Sequence, residues 1–449
     1  MNRSRISWLV VSLTAVAVIG LIAVGLARGK SANVKPTQVS QVEIRSTLSR
    51  PVSKTDQLVA KYQQVIRTSP DNAESGAMLG AAYYQKARET GDPSYYVRAE
   101  AVLREALKSD PSNVDALVMS GTLENARHQF RAALAVAERA RALNRWKPGI
   151  YGVIADAQTE LGRYDAAAAT LQTMVDLRPD MSSYSRISYA RELHGDTVGA
   201  IDAMQQAVIA GGPAAENNAW ARVQLAHLYF AKGDLRHAER QYAQTLAEVP
   251  NYVYAMAGLA RVRTAQGRLD EAAALYHKAI DRLPMPEFVI GLGELEQMRG
   301  RSSSARQQYD LVGVMQQLNL HAGIDVDMEL ALFDADHGID PKANVVRARA
   351  AYSRRPSLYA ADALGWVYYR AGSFTQAHRY SKEALRLGTQ DAMLYFHAGM
   401  IAAAVHDRAT ALDELRTALA INPFFSPLQV IETRRVLARL EHDQGSARP

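Results

Sequence analysis

Apolar positions recur at helical spacing along most of the chain, and the recurrence itself repeats. A turn residue between successive predicted helices falls at His128, Gly162, Gly195, Gly233, Gly267, Gly300, Gly338, Gly372 and His406, with spacings of 34, 33, 38, 34, 33, 38, 34 and 34. Five residues beyond each stands an alanine: Ala133, Ala167, Ala200, Ala238, Ala272, Ala305, Ala343, Ala377 and Ala411. Leu225, Leu259, Leu292, Leu330 and Leu364 lie eight residues before their turns, each followed by Ala or Gly. Nine residues after the turns come Leu171, Met204, Tyr242, Tyr276, Tyr309 and Leu415, and many units close on a proline such as Pro179, Pro250 or Pro423. Alternating β-branched runs are scarce, so the pattern predicts helices almost throughout.

Helices of about 12–14 residues are marginal alone. Each predicted pair must therefore bury its apolar faces against its neighbours. The small residues at 226, 260 and 365 let two helices approach closely, and the turn glycines supply the tight reversal. A 34-residue helix–turn–helix period of this kind resembles the tetratricopeptide repeat family. The clearest copies cover 219–252, 253–285, 358–391 and 392–425; a copy at 73–111 has a longer first turn, and Tyr62 and Pro70 mark half a unit before it. The resemblance spans about 50–425. It implies an all-α fold, an α-α superhelix of about ten repeats over 53–425, with a capping helix at 426–442 and a disordered tail at 443–449.

Ahead of the repeats, Ile6–Ala27 holds 22 residues without a charge, with Ser7, Ser12 and Thr14 as its only polar side chains. As a helix this reaches roughly 33 Å, enough for a hydrocarbon core of about 30 Å. A short tail (1–5), one transmembrane helix (6–27) and a flexible linker (28–52) are the expectation, making a membrane-anchored member of the repeat family. Arg3 and Arg5 on one side nearly balance Arg28, Lys30 and Lys35 on the other. The very short tail favours a cytoplasmic N-terminus and an extracytoplasmic solenoid. Cleavage as a signal peptide near Ala27, giving a secreted protein, is the alternative, although the apolar run exceeds a usual h-region.

Charge and cysteine narrow the chemistry. The net charge of +6 over 449 residues includes no basic block, which speaks against nucleic acid. There is no cysteine, so disulfides, thiolate metal sites and a catalytic thiol are excluded. No HExxH, GxSxG or phosphate-loop pattern occurs in a fitting context. The densest acidic stretch, 323–340 with Asp325, Asp327, Asp334, Asp336 and His337, lacks the spacing of a calcium loop and is expected to cap helices and face solvent. A non-enzyme without cofactor or metal is expected.

In the family that the repeat resembles, the first helix of each unit lines a concave surface that binds proteins or peptides. By that register the inward candidates are Tyr189, Trp220, Phe230, Tyr254, Arg261, Tyr359, Trp366, Tyr369, Arg370, Phe396 and Met400. Aromatics and arginine suit interaction hot spots, and methionine offers an adaptable apolar surface. The ninth position of the first helices never holds Asn, so the family's clamp for acidic chaperone tails is not expected. The expected role is a membrane-tethered scaffold, adaptor or assembly factor that binds a protein or peptide. The alternatives are a self-associating spacer, which would be a homo-oligomer, and a non-catalytic subunit of an enzyme complex.

Overall fold

The computed structural model describes residues 53–211 and 215–445. Among these it contains 22 α-helices and no strand, in the all-helical repeat architecture expected. The expected transmembrane segment (6–27), the expected linker (28–52) and residues 446–449 lie outside the described residues. Within the described residues no helix is long and apolar enough to cross a membrane.

A first helix, α1 (Lys54–Thr68), precedes ten helical pairs. They are α2 (Ala73–Thr90) with α3 (Ser94–Ser109), α4 (Val114–Ala126) with α5 (Phe130–Leu143), α6 (Pro148–Glu160) with α7 (Tyr164–Leu177), α8 (Met181–Leu193) with α9 (Thr197–Ala210), and α10 (Ala215–Ala231) with α11 (Leu235–Glu248). There follow α12 (Val253–Ala265) with α13 (Leu269–Arg282), α14 (Pro286–Met298) with α15 (Ser302–His321), α16 (Asp327–His337) with α17 (Pro341–Arg354), α18 (Leu358–Arg370) with α19 (Phe374–Ala384), and α20 (Ala392–Ala404) with α21 (Arg408–Ile421). A last helix, α22 (Gln429–Gly445), closes the series.

All nine turn positions adopt the left-handed conformation, with φ between 60° and 77°, including His128 and His406. The next residue often caps the second helix: Asp196, Asp234 and Asp407 accept hydrogen bonds from backbone N–H groups three residues on. Eight of the nine alanines are buried, at 0–3 % exposure, where a larger side chain would push the paired helices apart. The exception is Ala343, which is exposed. Its helix is capped by Asp340, two residues beyond Gly338, with Pro341 in the first turn. That extra residue moves the register by one. Asn344 takes the buried position, and its Nδ2 donates to the Ala331 carbonyl at 2.8 Å.

The superhelix is tight enough to touch itself. Hydrogen bonds join residues 192–197 positions apart, which sets one turn at roughly six repeats. The Leu358 N–H donates to the Tyr164 hydroxyl (2.7 Å), the Thr389 hydroxyl donates to the Leu193 carbonyl (2.5 Å), and Asn422 Nδ2 donates to the Phe230 carbonyl (2.9 Å). Arg355 ties Glu160 of the first turn to Glu329 of the second, at 2.8 and 2.7 Å. A Cβ on Gly162 or Gly195 would collide with the Pro356 or Gly388 carbonyl, so these turn glycines also serve close approach.

The regular stack is interrupted after α15. Helix α15 extends to 20 residues, and the connection after it runs toward the N-terminal repeats. Its Ala322, Ile324 and Val326 are buried in one apolar cluster with Tyr83, Tyr96 and Leu123. The Asp325 N–H donates to the Arg127 carbonyl, and the Asp325 carbonyl lies 2.7 Å from His128 Nδ1. The last three repeats are thus pinned to the first ones through apolar burial as well as hydrogen bonds.

Candidate functional site

Self-closure of the superhelix encloses a lumen of about 940 Å³, lined by residues from Tyr84 near one end of the chain to Arg434 near the other. First helices from α2 to α16 contribute most of its wall: once one stripe of a helix packs against its pair, the opposite stripe points inward. In α12 the second and ninth residues, Tyr254 and Arg261, line the lumen; in α14 the same positions hold Glu287 and Glu294. Trp220, Phe230, Tyr189 and Phe288 add aromatic wall. Tyr254 meets Phe288 edge-on at 5.8 Å, and the Arg261 guanidinium lies 4.3 Å from the Phe230 ring centre.

The charges along the lumen fall into two groups. On one side they are matched. Arg186 holds Asp156 through two hydrogen bonds at 2.9 and 2.8 Å, Arg355 holds Glu160 and Glu329, and Arg88 lies 3.7 Å from Glu216. Burial works against ionisation of Glu329, but Arg355 and His128 outweigh it and hold its pKa below the usual range. On the other side, neither Glu287 nor Glu294 has an ion-pair partner among the described residues, and Asp336 accepts from Trp366 Nε1 at 2.8 Å. Enclosure pushes the Glu287 carboxyl up to about 7, although it is exposed to the lumen itself. Enclosure also pushes Glu294 to about 7, with Asp336 adding to the shift and Arg261 opposing it. Asp336 is raised too, by burial, against the pull of His397, Trp366, His337 and Arg370. His227 is driven down to about 3, by burial and then by Arg261, so it is neutral.

The structure divides the inward candidates. Tyr189, Trp220, Phe230, Tyr254 and Arg261 meet in the lumen. Tyr359 lies instead at the joint between superhelical turns, in one apolar cluster with Tyr164, Tyr189 and Leu193. Trp366, Phe396 and Met400 are 2 %, 0 % and 6 % exposed and share a core with Val436 and Leu437 of α22. Tyr369 stacks on Trp366 at 4.8 Å, and Arg370 lies 5.9 Å from the same ring. For Trp366, Phe396 and Met400 the expected open concave face is corrected, because they are buried in a core shared with α22; Tyr369 is half-buried and Arg370 stays exposed. Trp366, which the repeat pattern does not require, is a core residue with its indole N–H satisfied and its ring 4.1 Å from His397.

The acidic stretch is also less solvated than expected. Asp325 and Asp327 grip Arg354 at 2.7 and 2.6 Å, and Asp334 pairs with Arg347. Sequence reasoning favoured aromatics and passed over Glu287, although the register places it level with Tyr254. Gln316 and Asn319 were missed for a different reason. They lie on a second helix, and only the extension of α15 brings them to the lumen.

Family models described as tetratricopeptide repeat match residues 125–188, 223–285 and 265–312. These stretches therefore carry tetratricopeptide repeats. No curated protein matches the sequence. Similar solved structures include TTC0263, a thermophilic repeat protein of Thermus thermophilus, at 23 % identity and TM-score 0.38, covering 44 % of this chain and 99 % of that one. A monomeric mutant of IFIT1 with Gppp-AAAA is 15 % identical with TM-score 0.46, covering 73 % and 76 %. YrrB, described as having an unusual peptide-binding site, is 17 % identical with TM-score 0.28, covering 40 % and 91 %. At these identities the likeness concerns the fold alone.

Proposed function

We propose that this chain is a membrane-tethered, non-catalytic scaffold that holds a segment of another protein in the lumen of its superhelix. One observation carries the reading: the first helices of the middle repeats converge their aromatic and charged residues on a single cavity of about 940 Å³. The cavity is preformed by the turn-to-turn contacts, so little of the solenoid must be ordered on binding. The uncharged run Ile6–Ala27 supports a tether, which would concentrate the scaffold at the membrane on its extracytoplasmic side. A photo-crosslinking residue placed at Trp220 in the lumen, and separately at the exposed outer position Val346, tests this in intact membranes. The lumen position is expected to give a discrete adduct that the outer position does not; equal adducts at both would refute it. Removal of residues 6–27 is expected to release the protein from the membrane fraction.

A second reading, self-association, is favoured by α15. Its Leu311, Val314 and Leu318 form an exposed stripe at helical spacing, 40 %, 56 % and 37 % exposed. Val314→Glu would abolish any dimer built on it, and light scattering of the parent chain decides whether one exists.

A further inference from the structure

The reading of the lumen as a site for a protein segment can be deepened by its chemistry, and the inference rests on that reading. We infer that the α14–α16 wall of the lumen selects a basic peptide, with Glu287, Glu294 and Asp336 receiving Lys or Arg side chains and Gln316 and Asn319 bonding the peptide backbone. The first observation is the lack of charge compensation. Glu287 and Glu294 lie about two helical turns apart on one face of α14, line the cavity and have no ion-pair partner among the described residues. Arg261, whose charge acts on Glu294, is held over the Phe230 ring and forms no ion pair with a described carboxylate. Elsewhere in the lumen the acidic groups are matched by arginine, so this wall is a local exception and not a general property of the surface.

The second observation is independent of charge. Asn319 is fully buried and lines the lumen, yet neither polar atom of its side chain has a hydrogen-bond partner; Gln316, 4 % exposed, leaves its Oε1 unpartnered as well. Buried amides are normally satisfied, and two unsatisfied ones on one wall are donors and acceptors awaiting a ligand. Together they present an Oδ1, an Nδ2 and an Oε1, the complement of a peptide's N–H and C=O groups. Val289 of α14 shares an apolar cluster with Val312 and Met315 of α15, which fixes the amide-bearing end of α15 beside the Glu287 end of α14. Tyr254, at the same position of the neighbouring first helix, adds an aromatic ring beside Glu287 for the cation.

The test is fluorescence anisotropy of the full chain in detergent micelles, with a short labelled peptide of alternating Lys and Ala and its Glu–Ala counterpart. The basic peptide is expected to bind and the acidic one not. Glu287→Gln combined with Glu294→Gln should weaken binding about tenfold or more, because charge-assisted bonds are lost. Glu294→Asp should retain it, and Asn319→Ala should lose about fivefold. Melting curves of the variants confirm that the fold persists. Undiminished binding of the basic peptide to the double Gln variant would overturn the assignment of this wall. Preference for the acidic peptide would overturn the inference but leave the lumen a peptide site. Failure of both peptides to bind would count against the inference and the lumen reading together.

Discussion

The middle and C-terminal repeats both carry aromatic residues along their first helices, yet the middle set faces open space and Trp366 and Phe396 do not. Trp220 and Tyr254 look into the lumen, whereas Trp366 and Phe396 lie under α22 and against α16. The repeat code is the same in both regions; the difference is the element that comes next in the chain. A solenoid exposes its last apolar face unless something covers it, and here the cap occupies the very face that would otherwise be concave surface. Inward direction is thus a property of the repeat, and accessibility is a property of the neighbours.

The strongest way to break this comparison is to truncate one residue from each region. Trp366→Ala removes a buried ring and leaves Asp336 without its donor. It is expected to cost about 3–5 kcal/mol in a denaturant melt. Arg261→Ala, in the lumen, loses a cation–π contact worth about 1 kcal/mol or less. Equal losses would mean that the C-terminal set is not a core. Next in size is the joint between turns: Arg355→Ala strands Glu160 and Glu329 in a largely buried setting. A loss of about 3 kcal/mol is expected, with an increased radius of gyration in X-ray scattering. An unchanged radius would show that the apolar linker Ala322–Val326 closes the superhelix unaided.

A smaller effect separates two turn glycines that share one backbone conformation. Gly195 and Gly300 have φ of 76° and 74°. A Cβ on Gly300 meets nothing within 4 Å, while one on Gly195 would strike the Gly388 carbonyl of the next superhelical turn. Gly300→Ala should cost only the left-handed penalty, about 1–2 kcal/mol. Gly195→Ala should cost more, and only Gly195→Ala should expand the molecule. Equal melting and equal size would remove the close approach from the account of why this superhelix closes.

The repeat, its turns and its buried alanines were legible in the sequence because each depends on a local spacing that recurs. Ala343 misled the reading because the Asp340 cap adds one residue, a slip visible only when Asn344 is seen bonded to Ala331. The lumen was half legible: Tyr254 and Arg261 follow from register, and Glu287 from the same register. What the sequence could not show is pairing across superhelical turns. Nothing near Arg355 in the chain announces Glu160, 195 residues away. Curvature, which brings them together, is a sum of small rotations at every helix contact.

That joint between turns also carries the smallest effect, a dependence on pH. Glu192 sits at the end of α8, close to Asp391 at the start of α20. Its carboxyl is pushed up to about 7, by burial first and then by Asp391. Asp391 is raised as well, by burial first, with Asp362 adding to it and Met393, His397 and Tyr359 opposing. A carboxyl raised from about 4.5 to about 7 binds more protons when folded than when unfolded across that interval. Its stabilising contribution is therefore complete below pH 4.5 and is lost as pH rises through 7. Because Glu192 is only partly enclosed, solvent screens the shift, and the change in Tm between pH 5 and pH 8 is expected to be on the order of 1 °C. Glu192→Gln should reduce this slope, the lumen carboxylates Glu287 and Glu294 supplying the remainder, and leave the pH 5 value unchanged. A slope undiminished in the Gln variant would move its origin from the joint to those lumen carboxylates alone.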